Sequence, residues 1–163
     1  MIKNNIKQAY GENTTCDFKE AVERKQPKSW LKSVSAFANT AGGVLVFGVN
    51  DDGETIGLEN AKADAEFISD RIKVFMDPVP EFELVTKPTE NGRFILELHV
   101  LAGDMTPYYY VNSGTHSAFI RIGDESVITN AHQLSALVLK GRNRTYDSLV
   151  TEYHLGELTF DTL

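Results

Sequence analysis

The sequence predicts an α+β fold, with a mixed, largely antiparallel sheet and about three helices packed against it. Three observations support this. Apolar residues recur at helical spacing in three segments of the chain. Short β-branched and aromatic runs, which are typical of strands, lie between these segments. Two of the runs flank Asn91-Gly92, a strong signal for a tight hairpin and therefore for antiparallel pairing.

The central stretch changes from helix to strand to turn within a few residues. Apolar side chains at helical spacing predict a helix from Trp30 to Thr40, and Ser29 is placed to cap its first turn. Gly42-Gly43 ends this helix, because glycine adopts the left-handed conformation at a helix terminus without steric cost. Residues 44–49 then form a buried strand, and residues 50–53 have the composition of a tight turn.

The segments on either side of this stretch complete the amino-terminal half. Residues 14–19 alternate weakly and predict a short strand. Residues 54–58 can pair back across the turn as a second hairpin strand. Asn60 can cap a following helix of about sixteen residues, which Asp77-Pro78 ends because proline cannot continue a helix.

The carboxyl-terminal half contains two hairpins and a helix. Strands are predicted at residues 81–87 and 93–101, and again at 107–111 and 118–122. Residues 128–140 predict the last helix. The run Tyr108 to Tyr110 has two interpretations: the rings stack on nucleic-acid bases, or they support the sheet, as aromatic residues on strands more often do.

Length and composition indicate one globular domain of 163 residues. Because no apolar run is long enough to cross a membrane and the start of the chain is too polar for a signal peptide, we expect a cytoplasmic protein. The net charge of −7 argues against a generic nucleic-acid coat protein. Residues 19–32 nevertheless carry five basic against two acidic side chains. This local excess is either an ordinary solvated helix face or an edge that contacts phosphate.

Two single residues have a functional and an ordinary interpretation. Cys16, the one cysteine, excludes an intrachain disulfide and is either a nucleophile or a small core residue on a strand. His99 alternates onto the polar side of its strand, where a surface histidine is a simpler interpretation than a catalytic base.

Several ordered blocks together resemble the AlbA-type domain of the Schlafen family, over roughly Glu12 to Lys140. The blocks are Glu12 with Asp17-Phe18-Lys19, Ser35-Ala36-Phe37-Ala38-Asn39-Thr40 with Gly42-Gly43, Phe47-Gly48-Val49 with Asp51-Asp52-Gly53, Ile56-Gly57-Leu58, Pro107-Tyr108-Tyr109, and Ile120-Arg121-Ile122-Gly123. The domain is accordingly expected at residues 12–141. It would be preceded by an arm or short helix at residues 1–11 and followed by a tail at residues 142–163, which either begins a further region or docks on a neighbouring chain.

The resemblance implies an α+β module that binds nucleic acid, DNA or RNA. In bacteria this module commonly stands at the amino terminus of larger transcription-regulator-like or helicase-like proteins. Animal members pair two such lobes to cleave transfer RNA at three carboxylates, which by motif position correspond to Glu12, Asp17 and Asp51. The family usually has Glu where this chain has Asp17. The paired lobes also imply that this chain forms a homodimer.

Two functions therefore follow as hypotheses. The first is a binding module that holds phosphates through five basic side chains, Lys19, Lys25, Lys28, Lys32 and Arg121. The second is a metal-dependent endoribonuclease. In that case the three carboxylates hold Mg²⁺ or Mn²⁺, which prefer oxygen ligands, and Lys19 neutralises the scissile phosphate. The simpler interpretation is that Asp51 belongs only to a turn and Glu12 only to the surface.

A nucleotide-binding role is a third possibility, and the sequence argues against it. The chain has no GxxxxGK[ST] phosphate loop. In addition, Gly42-Gly43 follows a helix, whereas phosphates bind where a helix begins. An ATP site is therefore not expected.

Overall fold

The computed structural model describes residues 15–143. Within them the strands are β1 (Cys16–Lys19), β2 (Gly43–Phe47), β3 (Met76–Asp77), β4 (Phe82–Pro88), β5 (Phe94–Val100), β6 (Tyr109–Asn112), β7 (Thr115–Ile122) and β8 (Glu125–Ile128). The helices are α1 (Lys28–Asn39), α2 (Ala61–Phe75) and α3 (131–143). The predicted α+β class is confirmed. None of the described helices is long and apolar enough to cross a membrane.

The strands form two four-stranded sheets, where the sequence analysis expected one. The first sheet has the order β1-β2-β5-β4, and β1 and β2 are its parallel pair. The second sheet has the order β3-β6-β7-β8 and is antiparallel throughout. Because β1 and β2 run in the same direction, their carboxyl ends lie at one edge of the first sheet.

Helix α1 is the centre of the molecule. It packs against β2 and β5 of the first sheet and against β6, β7 and β8 of the second. Nine of its twelve residues are buried, and three of these nine are polar: Ser33, Ser35 and Asn39. A helix enclosed by two sheets must bury both apolar and polar residues, so its polar side chains need partners inside the protein.

The glycine pair that follows α1 behaves as the sequence predicts. Gly42 has a φ of +77°, and its amide donates a 2.8 Å hydrogen bond to the Phe37 carbonyl. Gly43 serves a different purpose, since a Cβ atom there would lie 2.5 Å from the Phe37 ring and 2.7 Å from the Thr15 carbonyl oxygen. The first glycine therefore turns the chain, and the second lets β2 pass close to the helix.

The first and last helices begin at different residues from those predicted. Helix α1 begins at Lys28 and not at Trp30, because the Ser29 amide already donates to the Gln26 carbonyl at 3.0 Å; Pro27, not Ser29, occupies the capping position. The last helix begins at residue 131 and not at Ile128, because Ile128 belongs to β8 and Asn130 caps the helix, with its Oδ1 accepting from the Gln133 amide at 2.8 Å.

The segment at residues 54–58 is not a strand. It makes only isolated bridges, Val49 to Thr55 and Leu58 to Phe94, because Gly57 takes a φ of +80° that interrupts an extended ladder. The cap of α2 is as predicted, with Asn60 Oδ1 accepting from the Ala63 amide at 3.1 Å.

Candidate nucleic-acid interface

Strand β1 directs Asp17 and Lys19 towards the interior of the molecule, beside α1. Asp17 is paired in register with Leu45, which is fully buried in the main core. Cys16 and Phe18 alternate onto the opposite face of the sheet, where they join a smaller apolar cluster. The period of two thus places a carboxylate and an ammonium on the same face of one short strand.

The Asp17 carboxylate is held through one of its two oxygens. Oδ2 accepts a 3.1 Å hydrogen bond from Ser33 Oγ and lies 3.8 Å from Lys19 Nζ and 4.0 Å from Arg121 Nη1. Oδ1 makes no hydrogen bond or ion pair with residues 15–143. The carboxylate is therefore fixed in orientation while one oxygen keeps its capacity to accept.

Four residues from four elements form one hydrogen-bonded chain. Arg121 Nη1 donates to Ser126 Oγ at 2.9 Å, and Ser126 Oγ lies 2.9 Å from Ser33 Oγ. Because the single hydroxyl hydrogen of Ser33 goes to Asp17, Ser126 is the donor in the bond between the serines. We name the four residues, Arg121, Ser126, Ser33 and Asp17, the open network.

Arg121 also ties the second sheet to the first. Its side chain is only 3% exposed, its Nη2 donates to the Cys16 carbonyl at 3.1 Å, and its guanidinium lies 5.0 Å from the centre of the Phe37 ring. Such an arginine holds strands together more readily than it contacts a ligand. Its expected role in binding nucleic acid stays a prediction, although the guanidinium does border the cavity described next.

The open network lies on the wall of a cavity of about 380 Å³. The cavity is lined by Asp17, Lys19, Lys32, Ser33, Arg121, Asp124, Glu125 and Ser126. Three of these side chains are cations and three are carboxylates. Their formal charges balance, so any anion that binds here must compete with the resident carboxylates for the cations.

Of the other basic residues in the predicted set, Lys32 belongs to the cavity lining and two do not. Lys32 lines the cavity from α1, and Lys28 lies one helical turn earlier on the same face. Lys28 and Lys25 are exposed. The structure therefore brings Lys19, Lys32 and Arg121 together at one cavity, with Lys28 one helical turn from Lys32, and does not place Lys25 in the cavity lining.

Two of the three predicted carboxylates, Asp17 and Asp51, lie among the described residues. Asp17 lines the cavity. Asp51 is exposed in the turn after β2, and it is not among the described residues that line the cavity. This turn follows Gly48 and Val49, whose amides donate to the Lys19 carbonyl at 2.8 and 3.1 Å, so it starts at the edge of the sheet where β1 ends. Glu12 lies outside the described residues.

The family assignment rests on the sequence profile described as Schlafen, AlbA_2, which matches residues 12–130. This chain belongs to that family. The suspected resemblance is therefore confirmed, and the cavity beside Asp17 is part of an AlbA_2 domain.

Two individual proteins resemble this AlbA_2 domain. The uncharacterized ATP-binding protein UU034 of Ureaplasma parvum is 31% identical over 90 residues, which are 53% of this chain and 23% of that protein. The chain thus matches about a quarter of a longer relative. The solution structure of the N-terminal domain of an ATP-dependent DNA helicase RecG-related protein from Nitrosomonas europaea is 24% identical. The superposition covers 78% of this chain and 92% of that domain, with a TM-score of 0.55, and shows that the two share a fold.

Two residues of the block from Ser35 to Thr40, Ser35 and Asn39, form a second polar network, which we name the closed network. Asn39 Nδ2 donates to the carbonyls of Tyr108 and Phe119 at 3.1 and 2.9 Å, and Asn39 Oδ1 accepts from the Tyr108 amide at 2.7 Å. Ser35 Oγ donates to the Tyr108 carbonyl at 2.7 Å and lies 3.1 Å from the Phe119 amide that donates to it. These side chains fasten α1 to the backbone of the second sheet.

The other residues singled out in the sequence have structural roles. Tyr108 and Tyr110 are buried in the core, which favours support of the sheet over base stacking. Cys16 is buried, and this burial, followed by the charge of the nearby Asp17, raises the pKa of its thiol from 9.0 to about 11. A thiol that stays protonated at neutral pH is a core residue and not a nucleophile.

His99 is not the isolated surface histidine that alternation suggested. Its Nε2 lies 2.9 Å from Oε1 of Glu97, and the Glu97 side chain is 2% exposed. The other carboxylate oxygen, Oε2, has no hydrogen-bond partner among the described residues but forms an ion pair with Lys87 Nζ at 2.9 Å. The buried glutamate was missed because its strand reads as a plain alternation of apolar and polar residues.

The described residues of the AlbA_2 domain do not by themselves form a metal site. Within residues 15–143 no group of three or more His, Cys, Asp or Glu side chains is arranged to hold an ion. Asp17 supplies one carboxylate with an available oxygen. Any complete ligand set would need further carboxylates, and of the two that the sequence predicts, one lies outside the described range.

Proposed function

We propose that this AlbA_2 domain binds nucleic acid through its phosphate backbone, at the cavity beside Asp17. One observation carries the proposal: Lys19, Lys32 and Arg121 come from three separate parts of the chain and border the same cavity. The two serine hydroxyls in the same wall already donate to Asp17 and to Ser33, so the cations are the groups that contact phosphate oxygens.

The balance of charge in the cavity shapes the expected affinity. A phosphate that enters must draw Lys19 away from Asp17, an ion pair of 3.8 Å between side chains that are 30% and 23% exposed. Such a partly exposed pair contributes little, so its rearrangement is a small obstacle. The relative from Nitrosomonas europaea belongs to a protein named for a DNA helicase, which supports nucleic acid as the ligand class.

Fluorescence anisotropy with labelled single-stranded and duplex DNA and RNA tests the proposal. We expect Lys19→Gln/Lys32→Gln to weaken binding and to make it less sensitive to salt, because the salt slope on a single strand falls by about 0.7 for each phosphate that is no longer neutralised. Lys62→Gln/Lys73→Gln is the matched control, because it removes the same charge from exposed positions on α2. The absence of binding at low salt, or an equal loss in the control, would contradict the proposal.

The second candidate function is a metal-dependent endoribonuclease, favoured by the orientation of Asp17. Its Oδ2 is held by Ser33, while Oδ1 has no partner among the described residues, as a ligating carboxylate requires. Asp17 would hold Mg²⁺ or Mn²⁺ together with Glu12 and Asp51, and Lys19 would face the scissile phosphate. When bound, such an ion activates water and stabilises the charge that develops on the phosphate.

Incubation with transfer RNA and Mn²⁺, beside Asp17→Asn and Asp51→Asn, tests the nuclease. We expect both substitutions to abolish cleavage and to weaken Mn²⁺ binding measured by calorimetry. Equal cleavage by wild type and both variants would identify a contaminant and end this hypothesis. A binding module without chemistry predicts a different result, since Asp17→Asn then removes the anion that competes with phosphate and strengthens nucleic-acid binding.

Two finer expectations belong to the same proposal. We propose that two copies of the chain associate, and light scattering after size-exclusion chromatography tests this; a monomer at high concentration would contradict it. We also propose that the domain is the amino-terminal part of a larger transcription-regulator-like protein. The cytoplasmic location stays a prediction from the sequence.

A further inference from the structure

Cations and aromatic rings lie side by side across the surface formed by α2, the start of α1 and the segment before α1. Arg24 lies 4.4 Å from the centre of the Phe67 ring, and Arg71 lies 5.5 Å from the same ring. Arg71 also lies 5.5 Å from the Phe75 ring. These contacts hold two guanidinium groups in place, although 48% of the Arg24 and 32% of the Arg71 side chain remain exposed.

This arrangement continues towards the cavity. Phe75 stacks on Tyr110 with ring centres 5.8 Å apart, and Lys28 Nζ lies 5.8 Å from the Tyr110 ring. Lys28 is one helical turn from Lys32, which lines the cavity. Tyr110 is 5% exposed, so it supports Phe75 and Lys28 from the core and does not itself face a ligand. We name the five residues Arg24, Phe67, Arg71, Phe75 and Lys28 the cation–aromatic strip.

We propose that the cation–aromatic strip is a second binding surface for single-stranded nucleic acid, continuous with the cavity beside Asp17. This inference rests on the proposed function and extends it from one cavity to a path several nucleotides long. Each guanidinium is already immobilised over a ring, so little side-chain entropy is lost when it contacts a ligand. Its plane offers a surface on which an unpaired base can stack, which an acidic peptide does not exploit.

The carboxylates beside the strip leave donors for phosphate. Arg24 uses one N–H group for Asp64, at 2.7 Å, out of the five that a guanidinium carries. Arg71 contacts one oxygen of Asp70, a side chain that is 57% exposed, so this pair contributes little and is easily rearranged. The pairs set the positions of the cations without using up their capacity to bind.

A charge-matched pair of double variants tests the strip by anisotropy with a labelled single strand of about 15 nucleotides, long enough to pass from cavity to strip. Arg24→Gln/Arg71→Gln is expected to weaken binding about fivefold or more and to reduce the salt slope by about 1.4, the value for two phosphates that are no longer neutralised. Lys62→Gln/Lys73→Gln removes the same charge from α2, about 180° and 200° around the helix axis from Arg71, and should leave both quantities unchanged.

A second variant guards against a merely structural effect. Asp64→Asn/Asp70→Asn removes the carboxylates that compete for Arg24 and Arg71, so binding should tighten. If the ion pairs served only to hold the chain in place, their loss would not tighten binding. Thermal unfolding establishes that each variant is folded. A polyglutamate competitor that displaces the oligonucleotide from the strip at equal charge concentration would overturn the assignment to nucleic acid.

The outcomes separate the two proposals. If the wild-type chain binds no oligonucleotide, the proposed function fails and the strip fails with it. If Lys19→Gln/Lys32→Gln weakens binding but Arg24→Gln/Arg71→Gln has no more effect than the control, only the strip is overturned.

Discussion

Helix α1 carries two polar networks that differ in what surrounds them. The closed network joins Ser35 and Asn39 to backbone groups of Tyr108 and Phe119, and no more than 1% of either residue is exposed. The open network joins Ser33 to Asp17, whose side chain is 23% exposed at the wall of a cavity. Ser33 and Ser35 are two residues apart, yet Ser33 bonds to side chains that line the cavity, whereas Ser35 bonds to buried backbone groups.

The difference separates the residues that build this domain from those available for function. Every polar atom of Asn39 is used on the protein backbone, so nothing remains for a ligand. The open network instead ends at a carboxylate with one oxygen that has no partner among the described residues. The sequence block from Ser35 to Thr40 therefore stabilises the fold by joining α1 to the second sheet, and the candidate site lies next to it.

The largest expected effect is the loss of the closed network. Asn39→Ala removes four hydrogen bonds, three of them to the backbone, and leaves buried carbonyl and amide groups with fewer partners, at about 1–3 kcal/mol for each unsatisfied group. We expect the free energy of unfolding to fall by about 4 kcal/mol in urea titrations. Nucleic-acid affinity of the folded fraction should stay at the wild-type value. A loss of affinity without a loss of stability would show that Asn39 belongs to the site.

A smaller effect is expected at the link between the two sheets. Arg121→Lys keeps the charge but loses the planar geometry that reaches Ser126 and the Cys16 carbonyl together. The free energy of unfolding should fall by about 2 kcal/mol, the scale of a charged hydrogen bond. Affinity should change by less than about threefold if Arg121 positions Asp17 and does not touch phosphate. A larger loss of affinity at unchanged stability would indicate that Arg121 contacts phosphate directly, as the sequence predicts.

The sequence identified what depends on local patterns. Gly42-Gly43, the Asn60 cap and the Asn91-Gly92 hairpin follow from backbone chemistry that a few residues determine, and the structure confirms each of them. Asp17 and Lys19 were found because a period of two puts them on one face. Alternation along one strand could not show which residues of other elements, such as Ser33 and Arg121, pack against that face.

The partners of Asp17 come from distant parts of the chain and carry no local signal. Ser126 and Arg121 are more than one hundred residues from Asp17, and β8, which places Ser126, was not predicted as a strand. Ser33 could have been found, since a serine in a helix that is otherwise buried needs a partner. The separation into two sheets depends on long-range pairing that alternation along one strand does not specify.

The smallest expected effects come from the most closely matched pair of substitutions, Ser33→Ala and Ser35→Ala. Ser35→Ala removes bonds to two buried backbone groups and should lower the free energy of unfolding by about 2 kcal/mol. Ser33→Ala should lower it by about 1 kcal/mol or less, because the partly exposed Asp17 can exchange the hydroxyl for water.

The two variants should show the opposite order in binding assays. Without the Ser33 hydroxyl, Asp17 relies more on Lys19, so that cation is less available to phosphate and affinity should fall about twofold, the effect of about 0.4 kcal/mol. Ser35→Ala should leave affinity unchanged, since its bonds all end on backbone groups or on Asn39. Paired urea titrations and anisotropy measurements on both proteins decide the matter. If Ser35→Ala alters affinity more than Ser33→Ala does, the division between a closed and an open network is wrong.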